Sequence, residues 1–263
     1  MTRDDTANGG ANRPLLSIII PALDEERSIG ATLRALDGVR GAEVIVADGG
    51  SQDKTRAIAA AHAGVRCVEC TRGRAAQMNA GAAAARGDLL LFLHADSLLS
   101  AAAATRLVAV MPERPESPGG AFRFALDSHR ARYRLIEFGV ALRTQVFHLP
   151  YGDQGIFARR AAFGALGGFR ELPYGEDVDF ILRLRRLGPI TISRDRVVTS
   201  ARRWERDGFL RTTLRNWRDL ARLATLPSLR EVARSPRRTG PHDSAAEWER
   251  ERSRAPHHPR ATP

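Results

Sequence analysis

Apolar and polar positions alternate between two kinds of segment through the first half of the chain. Short runs rich in apolar residues recur at Leu15-Leu16-Ser17-Ile18-Ile19-Ile20, Glu43-Val44-Ile45-Val46-Ala47, Val65 to Glu69 and Leu89 to Leu93, the third broken by Arg66 and Glu69. Runs of this length read as strands, the nearly continuous ones as buried strands. Between them lie helical patterns: Ile29, Leu33 and Leu36 at helical spacing, a segment through Ile58, and an Ala-rich stretch from Arg74 to Ala85. Strand-helix alternation with short loops implies α/β architecture with a doubly wound, mostly parallel sheet. The boundaries carry their own signals. Pro21 is expected to stop the first strand. Asp24-Glu25-Glu26 is expected to open the first helix, at the positive end of its dipole. Asp48-Gly49-Gly50-Ser51 reads as a tight turn, with Ser51 or Asp53 capping the next helix. Gly87 is expected to end the third helix.

The rhythm changes after Pro112. Pro112, Pro115 and Pro118 mark a loop. Gly120 to Leu126 alternates as a half-buried strand, Arg132 to Phe147 reads as a helix, and Gly152 to Phe157 as a short strand with turns. Asp177 to Leu187 is a predicted helix with Phe180, Leu184 and Leu187 on one face. Ile190-Thr191-Ile192 and Val197-Val198 are predicted as two small strands. Phe209 to Leu226 is a predicted basic helix with Leu210, Leu214, Trp217, Leu220 and Leu223 in one stripe.

Acidic residues fall where this architecture binds ligands. His94-Ala95-Asp96 follows the fourth apolar run, Asp48 follows the second, and Glu176-Asp177 comes later. Open α/β sheets bind ligands at the carboxyl ends of their strands. A carboxylate there can hold a divalent metal on a phosphorylated substrate. Two readings fit Asp96: a metal ligand, or a cap for the helix that starts near Ser100. Three acidic sites on one α/β pattern suggest a metal-dependent transferase.

Composition narrows the class. The chain has 263 residues, enough for one large domain with a substantial core. No apolar run approaches the roughly 18–20 residues that span a bilayer. Met1 to Arg13 is polar and lacks the apolar core of a secretory signal, so a cytoplasmic location is expected. Net charge is +11, and Arg202 to Pro263 holds 15 Arg against 8 acidic residues. Such a flank can meet nucleic acid, anionic lipid or phosphorylated substrate, or be a solvated face with a disordered tail. Cys67 and Cys70 form a CxxC without the second pair a structural zinc site needs, and are expected to be small buried thiols.

Four ordered motifs resemble glycosyltransferase family 2, the GT-A fold: Ser17 to Glu26, Val46 to Thr55, Leu93-His94-Ala95-Asp96, and Gly175-Glu176-Asp177-Val178-Asp179-Phe180. The resemblance runs from Leu16 to about Leu187 and more weakly to Leu226. Gly73 to Gly81, with Phe92 to Asp96, is similar to a small bacterial branch often labelled as associated with arsenosugar biosynthesis. The resemblance implies an inverting transferase that moves a sugar from a nucleotide-diphosphate donor, expected to be a UDP-sugar, to an acceptor hydroxyl.

Residue roles follow from the same resemblance. Pro21, Ala22 and Glu25 would line the nucleoside pocket and Asp48 would bond the base, unless it folds back on its own turn. Gly49 and Gly50 would admit the ligand closely. Arg74 would face the diphosphate, for which guanidinium geometry is suited. Asp96 matches the last Asp of the DxD motif and would hold Mg²⁺ or Mn²⁺. His94 departs from the Asp common at that place, and is read as a nucleotide contact or packing residue ahead of a metal ligand. Asp177, in the ED motif with Glu176, would be the catalytic base. Tyr151-Gly152-Asp153-Gln154-Gly155 would frame the acceptor side. Ser200 to Trp204 partly resembles the RW motif of processive relatives.

The implied organisation is a disordered N-terminus (1–13), a single GT-A domain (14–226) and a largely disordered Arg/Pro-rich tail (227–263). Within the domain, 14–111 would be the nucleotide-sugar half, 112–200 a smaller acceptor half and 201–226 the basic helix. The acceptor would be a small molecule or lipid-linked, with peripheral contact at the inner membrane face open. Two rival classes remain. A nucleotidyltransferase would need a Gly-rich basic loop after the first strand, where this chain has Pro21 to Glu26. A basic binding protein for nucleic acid or a membrane surface would use the Phe209–Leu226 helix, although no recognised nucleic-acid motif occurs.

Overall fold

The computed structural model describes residues 15–128, 131–147 and 149–200. The first strands are β1 (Leu16–Ala22), β2 (Ala42–Asp48), β3 (Val65–Glu69) and β4 (Leu89–Phe92), separated by α1 (Ile29–Ala35), α2 (Thr55–Ala61) and α3 (Arg74–Ala84). They pair in parallel in the order β3-β2-β1-β4. Beyond them come β5 (Ser97–Leu98), α4 (Ala101–Val110), β6 (Gly119–Leu126), α5 (Ala131–Phe147), β7 (Ile156–Arg159), α6 (Arg160–Ala165), α7 (Glu176–Leu184) and β8 (Thr191–Thr199). All eight strands form a single sheet, β3-β2-β1-β4-β7-β6-β8-β5, in which β7 joins the two halves by antiparallel pairing with β4 and β6.

The apolar runs are continuous because the sheet is covered on both faces. Ile18, Ile20, Val46 and Leu91 pack under Ile29 and Leu33 of α1 and Leu107 of α4. Ile19, Ile45, Leu90 and Phe92 face Met78 and Ala82 of α3 and Phe180, Ile181 and Leu184 of α7. Each such side chain, fully buried, contributes about 1.5–3 kcal/mol. Four rings gather at the end of β4: Phe92 meets Phe169 edge-on at 4.8 Å, Phe169 meets Phe180 at 4.5 Å, and Phe163 contacts all three. That cluster anchors the strand that delivers His94 and Asp96.

Several boundaries differ from expectation, each for a local reason. β1 runs through Pro21, because β4 ends opposite Ile19 and no ladder donor is needed beyond it. Asp24, Glu25 and Glu26 lie in the loop before α1 and not in its first turn. Neither Ser51 nor Asp53 caps α2; Lys54 holds the cap position, and Asp53 instead accepts from the Thr55 N–H at 2.9 Å. α3 ends on the extended backbone of Ala85. Gly87 serves a close approach: a Cβ there would sit 2.7 Å from the backbone of Leu16 and Ser17. Ser100, not Asp96, caps α4, accepting from the Ala103 N–H at 3.2 Å. The two small strands expected after Leu187 are one strand, β8, with an irregularity in its pairing to β6.

Candidate functional site

Strand order reverses between β1 and β4: β2 lies on one side of β1 and β4 on the other. The crevice at such a reversal is the usual ligand site of an open α/β sheet. Here it holds a cleft of about 320 Å³. The end of β1 supplies Pro21, Leu23 and Glu25. The loop into α3 and its first turn supply Arg72, Gly73, Arg74 and Gln77. The end of β4 supplies His94, Ala95 and Asp96.

The β1 wall is held by a reciprocal zip between two loops. The Asp24 N–H donates to Ser51 Oγ at 3.0 Å, and the Gln52 N–H donates to Asp24 Oδ1 at 2.8 Å. The Glu25 N–H donates to Thr55 Oγ1 at 2.7 Å, and the Glu26 N–H to Asp53 Oδ2 at 3.0 Å. The run of acids after the first strand is therefore a loop clasp. Asp24 adopts a left-handed backbone (φ +54°), unusual for a residue other than Gly.

Asp48, Gly49 and Ala22 stand behind this wall. Asp48 is 1% exposed and folds back on its own turn. Its Oδ2 accepts from the Gly50 and Ser51 N–H groups at 3.1 Å each, and its Oδ1 from the Ser51 hydroxyl. The space beside Gly49 is filled by Gln77, whose amide lies 3.0 Å from where a Cβ would stand. Gln77 Nε2 donates to Ala22 O at 2.6 Å and Ala47 O at 3.2 Å, tying the ends of β1 and β2 together. The open backbone at Gly49 thus meets a side chain of α3, where the sequence suggested a ligand.

The same helix explains most of Gly73 to Gly81. Ala75 and Met78 are core, and Asn79 clasps the backbone of Phe169 through bonds of 2.8 and 2.9 Å. Arg74 and Gln77 are the residues of α3 that reach the cleft, with Arg72 beside them. The Arg74 guanidinium lies 3.5 Å from Glu176 Oε1, joining the start of α3 to the start of α7. Glu176 is 7% exposed. Burial pushes its carboxyl above the ordinary value, the Asp177 charge adds to the rise, and Arg74 opposes it.

Asp96 is half-buried, and its carboxylate makes no hydrogen bond or ion pair among the described residues. Its backbone is fixed, the carbonyl accepting from the Ser200 N–H at 3.3 Å. Among the described residues no group of three or more His, Cys, Asp or Glu is placed to hold a metal. A single uncommitted carboxylate at a cleft that also holds Arg72 and Arg74 fits Mg²⁺-type binding, in which one or two carboxylates combine with substrate phosphates.

Asp177 lies near His94. Its Oδ2 accepts from the Gly152 N–H at 2.6 Å, and its Oδ1 from the Val178 N–H at 2.8 Å. A Cβ on Gly152 would lie 3.0 Å from both Asp177 Oδ2 and His94 Nε2. The base candidate and His94 are thus no farther apart than twice that distance, with Gly152 between them. Asp179, two residues further on, is a core ion: it is fully buried against Arg183, which also donates to the Leu166 and Gly168 carbonyls at 2.8 Å.

The structure therefore brings Pro21, Glu25, Arg74, His94 and Asp96 to one cleft and Glu176-Asp177 to its edge, leaving Ala22, Asp48 and Gly49 behind the wall. Sequence reasoning missed Arg72, Leu23 and Gln77 as lining residues. Arg72 had a legible signal, being two residues before Arg74 in one strand-to-helix loop. The cysteines are not buried as expected. Cys67 is exposed and Cys70 half-buried, because β3 is an edge strand, and both are free. Burial and the Asp48 charge raise both thiols. Residues 201–204, the predicted helix 209–226 and the tail lie outside the described residues. Among the described residues no helix is long and apolar enough to cross a membrane.

The family model of glycosyl transferase family 2 matches residues 17–166, and the chain belongs to that family. Membership of this family weighs against the nucleotidyltransferase and pure binding-protein readings. No curated protein matches the chain. Solved structures match its fold. S. aureus TarS 1–349 in complex with UDP-GlcNAc is 18% identical with a TM-score of 0.57, over 70% of this chain and 58% of that one. The mannosyltransferase PcManGT from Pyrobaculum calidifontis, in complex with GDP-Man and Mn²⁺, is 22% identical with a TM-score of 0.55, over 72% and 57%. Glucosyl-3-phosphoglycerate synthase from Mycobacterium tuberculosis, with Mn²⁺, UDP and glucosyl-3-phosphoglycerate, is 22% identical with a TM-score of 0.53, over 72% and 71%. The chain thus spans less than two thirds of the first two proteins' length. The likeness identifies the GT-A fold.

Proposed function

We propose that the chain transfers a sugar from a UDP-sugar to an acceptor hydroxyl, with a divalent metal and with inversion at the anomeric carbon. One observation carries the reading. An uncommitted carboxylate, Asp96, and two guanidinium groups, Arg72 and Arg74, line one cleft at the strand-order reversal, with the Asp177 carboxylate at its edge. Uridine nucleotides in the TarS and synthase complexes, and Mn²⁺ in the PcManGT and synthase complexes, support the donor and metal classes.

In this reading Pro21, Leu23 and Glu25 hold the nucleoside end. Arg72 and Arg74 face the diphosphate, since guanidinium forks pair with phosphate oxygens. Asp96 holds Mg²⁺ or Mn²⁺, with His94 next to it. The metal supplies charge that offsets the departing diphosphate. Asp177 takes the acceptor proton as the hydroxyl oxygen attacks the anomeric carbon. The bond from that carbon to the diphosphate oxygen breaks, and the nucleoside diphosphate leaves. Asp48 serves the site indirectly, by shaping the turn that carries Gly49 and Gly50 behind the nucleoside wall. Glu176 orients Arg74 until the diphosphate competes for it. The acceptor approaches from the Tyr151–Gly155 side and is a small molecule or a lipid-linked hydroxyl.

Calorimetry of UDP binding tests the donor site. Wild-type protein is expected to bind UDP more tightly with Mn²⁺ than with EDTA, and Asp96→Ala to bind equally in both. Equal affinity of the wild type with Mn²⁺ and with EDTA refutes the metal site.

A further inference from the structure

Gln154 carries no part of the chemistry outlined above, yet it is 1% exposed and hydrogen-bonded through both its amide oxygen and its amide nitrogen. Its Oε1 accepts from Arg143 Nη2 at 3.0 Å, Thr144 Oγ1 at 3.2 Å and the Tyr151 N–H at 3.1 Å. Its Nε2 donates to Phe122 O at 3.1 Å. Those partners come from α5, β6 and the loop between α5 and β7. Gln154 is also the last residue of the short 3-10 turn Gly152–Gln154. The first N–H of that turn is the one that holds Asp177 Oδ2 at 2.6 Å. Arg143 braces the same turn from outside, its guanidinium 3.4 Å from the centre of the Tyr151 ring and bonded to Leu149 O at 3.1 Å.

We infer that Gln154 is a positioning residue for the transfer reaction: by fixing the Gly152–Gln154 turn it aims the N–H that orients Asp177. The inference rests on the proposed role of Asp177 as the base. The physical argument is one of satisfied groups. A buried amide with all these bonds made holds three segments in one arrangement, and removing it leaves buried donors unpaired. The Gly152 N–H then loses its fixed direction, and Asp177 with it. A carboxylate that must meet an acceptor proton in line is sensitive to such displacement.

The test has two arms on the full chain. In protein labelled with ¹⁵N-glycine alone, the Gly152 amide, identified as the cross-peak that Gly152→Ala removes, should shift in Asp177→Asn as its charged acceptor is removed. Gln154→Met should shift it in the same sense. Gln154→Asn, shorter by one methylene, should shift it less and keeps the test open if Gln154→Met does not fold. A Gly152 amide unmoved in a folded Gln154 variant overturns the inference.

In the second arm, nucleotide release with Mn²⁺ is followed from UDP-glucose, UDP-GlcNAc and GDP-mannose, with water as acceptor. Gln154→Met should lower kcat by about tenfold or more, the scale of one hydrogen bond to a charged group, with Kd for UDP unchanged. Gln154→Glu, which keeps the acceptor for three of the four partners, should restore part of the rate. Gln154→Met combined with Asp177→Asn should be no slower than Asp177→Asn alone, because both act through one group. Losses that multiply overturn the inference. Absence of release from wild-type protein would count against the transfer reading, while the amide arm still decides the role of Gln154.

Discussion

Gly152→Ala perturbs both Asp177 and His94 at once. The added methyl would stand 3.0 Å from Asp177 Oδ2 and 3.0 Å from His94 Nε2, and 3.4 Å from Asp177 Cβ. Relaxed contacts of carbon with such atoms need roughly 3.5 Å, so two of the three are about half an ångström too short. Neither neighbour is the loose end of a long chain: Asp177 is held by two backbone N–H groups. The turn, Asp177 or His94 must therefore move. Overpacking of this kind costs about 1–3 kcal/mol, which lowers Tm by about 2–4 °C per kcal/mol in a domain of this size. The kinetic effect is larger than the thermal one. Weakening the N–H bond to a charged carboxylate is worth about 1.5–3 kcal/mol, or roughly 10- to 100-fold in rate. The assay is nucleotide release with Mn²⁺, beside a thermal melt and UDP calorimetry. UDP affinity should fall less than the rate, because His94 lines the nucleotide cleft while Gly152 itself does not. Gly139→Ala is the control: a Cβ there meets nothing within 4 Å, and α5 should gain about 0.5–1 kcal/mol from it. A wild-type rate in Gly152→Ala, with Tm also unmoved, refutes the reasoning.

The remaining predictions concern the same walls. Asp177→Asn should keep UDP affinity and lose at least about 100-fold in transfer, the low end for a general base; release at the wild-type rate would remove Asp177 from the mechanism. Glu176→Gln should raise Tm at neutral pH. The Glu176 carboxyl titrates higher folded than unfolded, so the folded state binds the proton more tightly between those values and stability falls as pH rises through that window. The advantage of Glu176→Gln should vanish below both values, and melts at several pH values showing a pH-independent difference would contradict the burial argument. Gln77→Leu should cost about 1–3 kcal/mol by stripping a buried donor from the carbonyls of Ala22 and Ala47. An unchanged denaturation midpoint would refute that tie between β1 and β2.

The chain's own pattern determined the alternation of strands and helices, because a sheet covered on both faces requires runs such as Leu89 to Leu93 to be apolar throughout. It also marked His94-Ala95-Asp96 and Glu176-Asp177, since acidic residues directly after such a run or at a helix start are visible in one dimension. Arg74 was legible for the same reason, standing at the start of a helix after a glycine. Tertiary structure alone decided what Gly49 and Gln77 do. Gln77 fills the space beside Gly49 because α3 packs across the ends of β1 and β2. It alone also brought Gly152 between His94 and Asp177, and joined Arg74 to Glu176. These contacts link residues far apart in the chain, and local periodicity holds no record of which helix start will face which strand end. Packing of whole elements sets that geometry, and with it the cleft in which Asp96 and the two arginines meet.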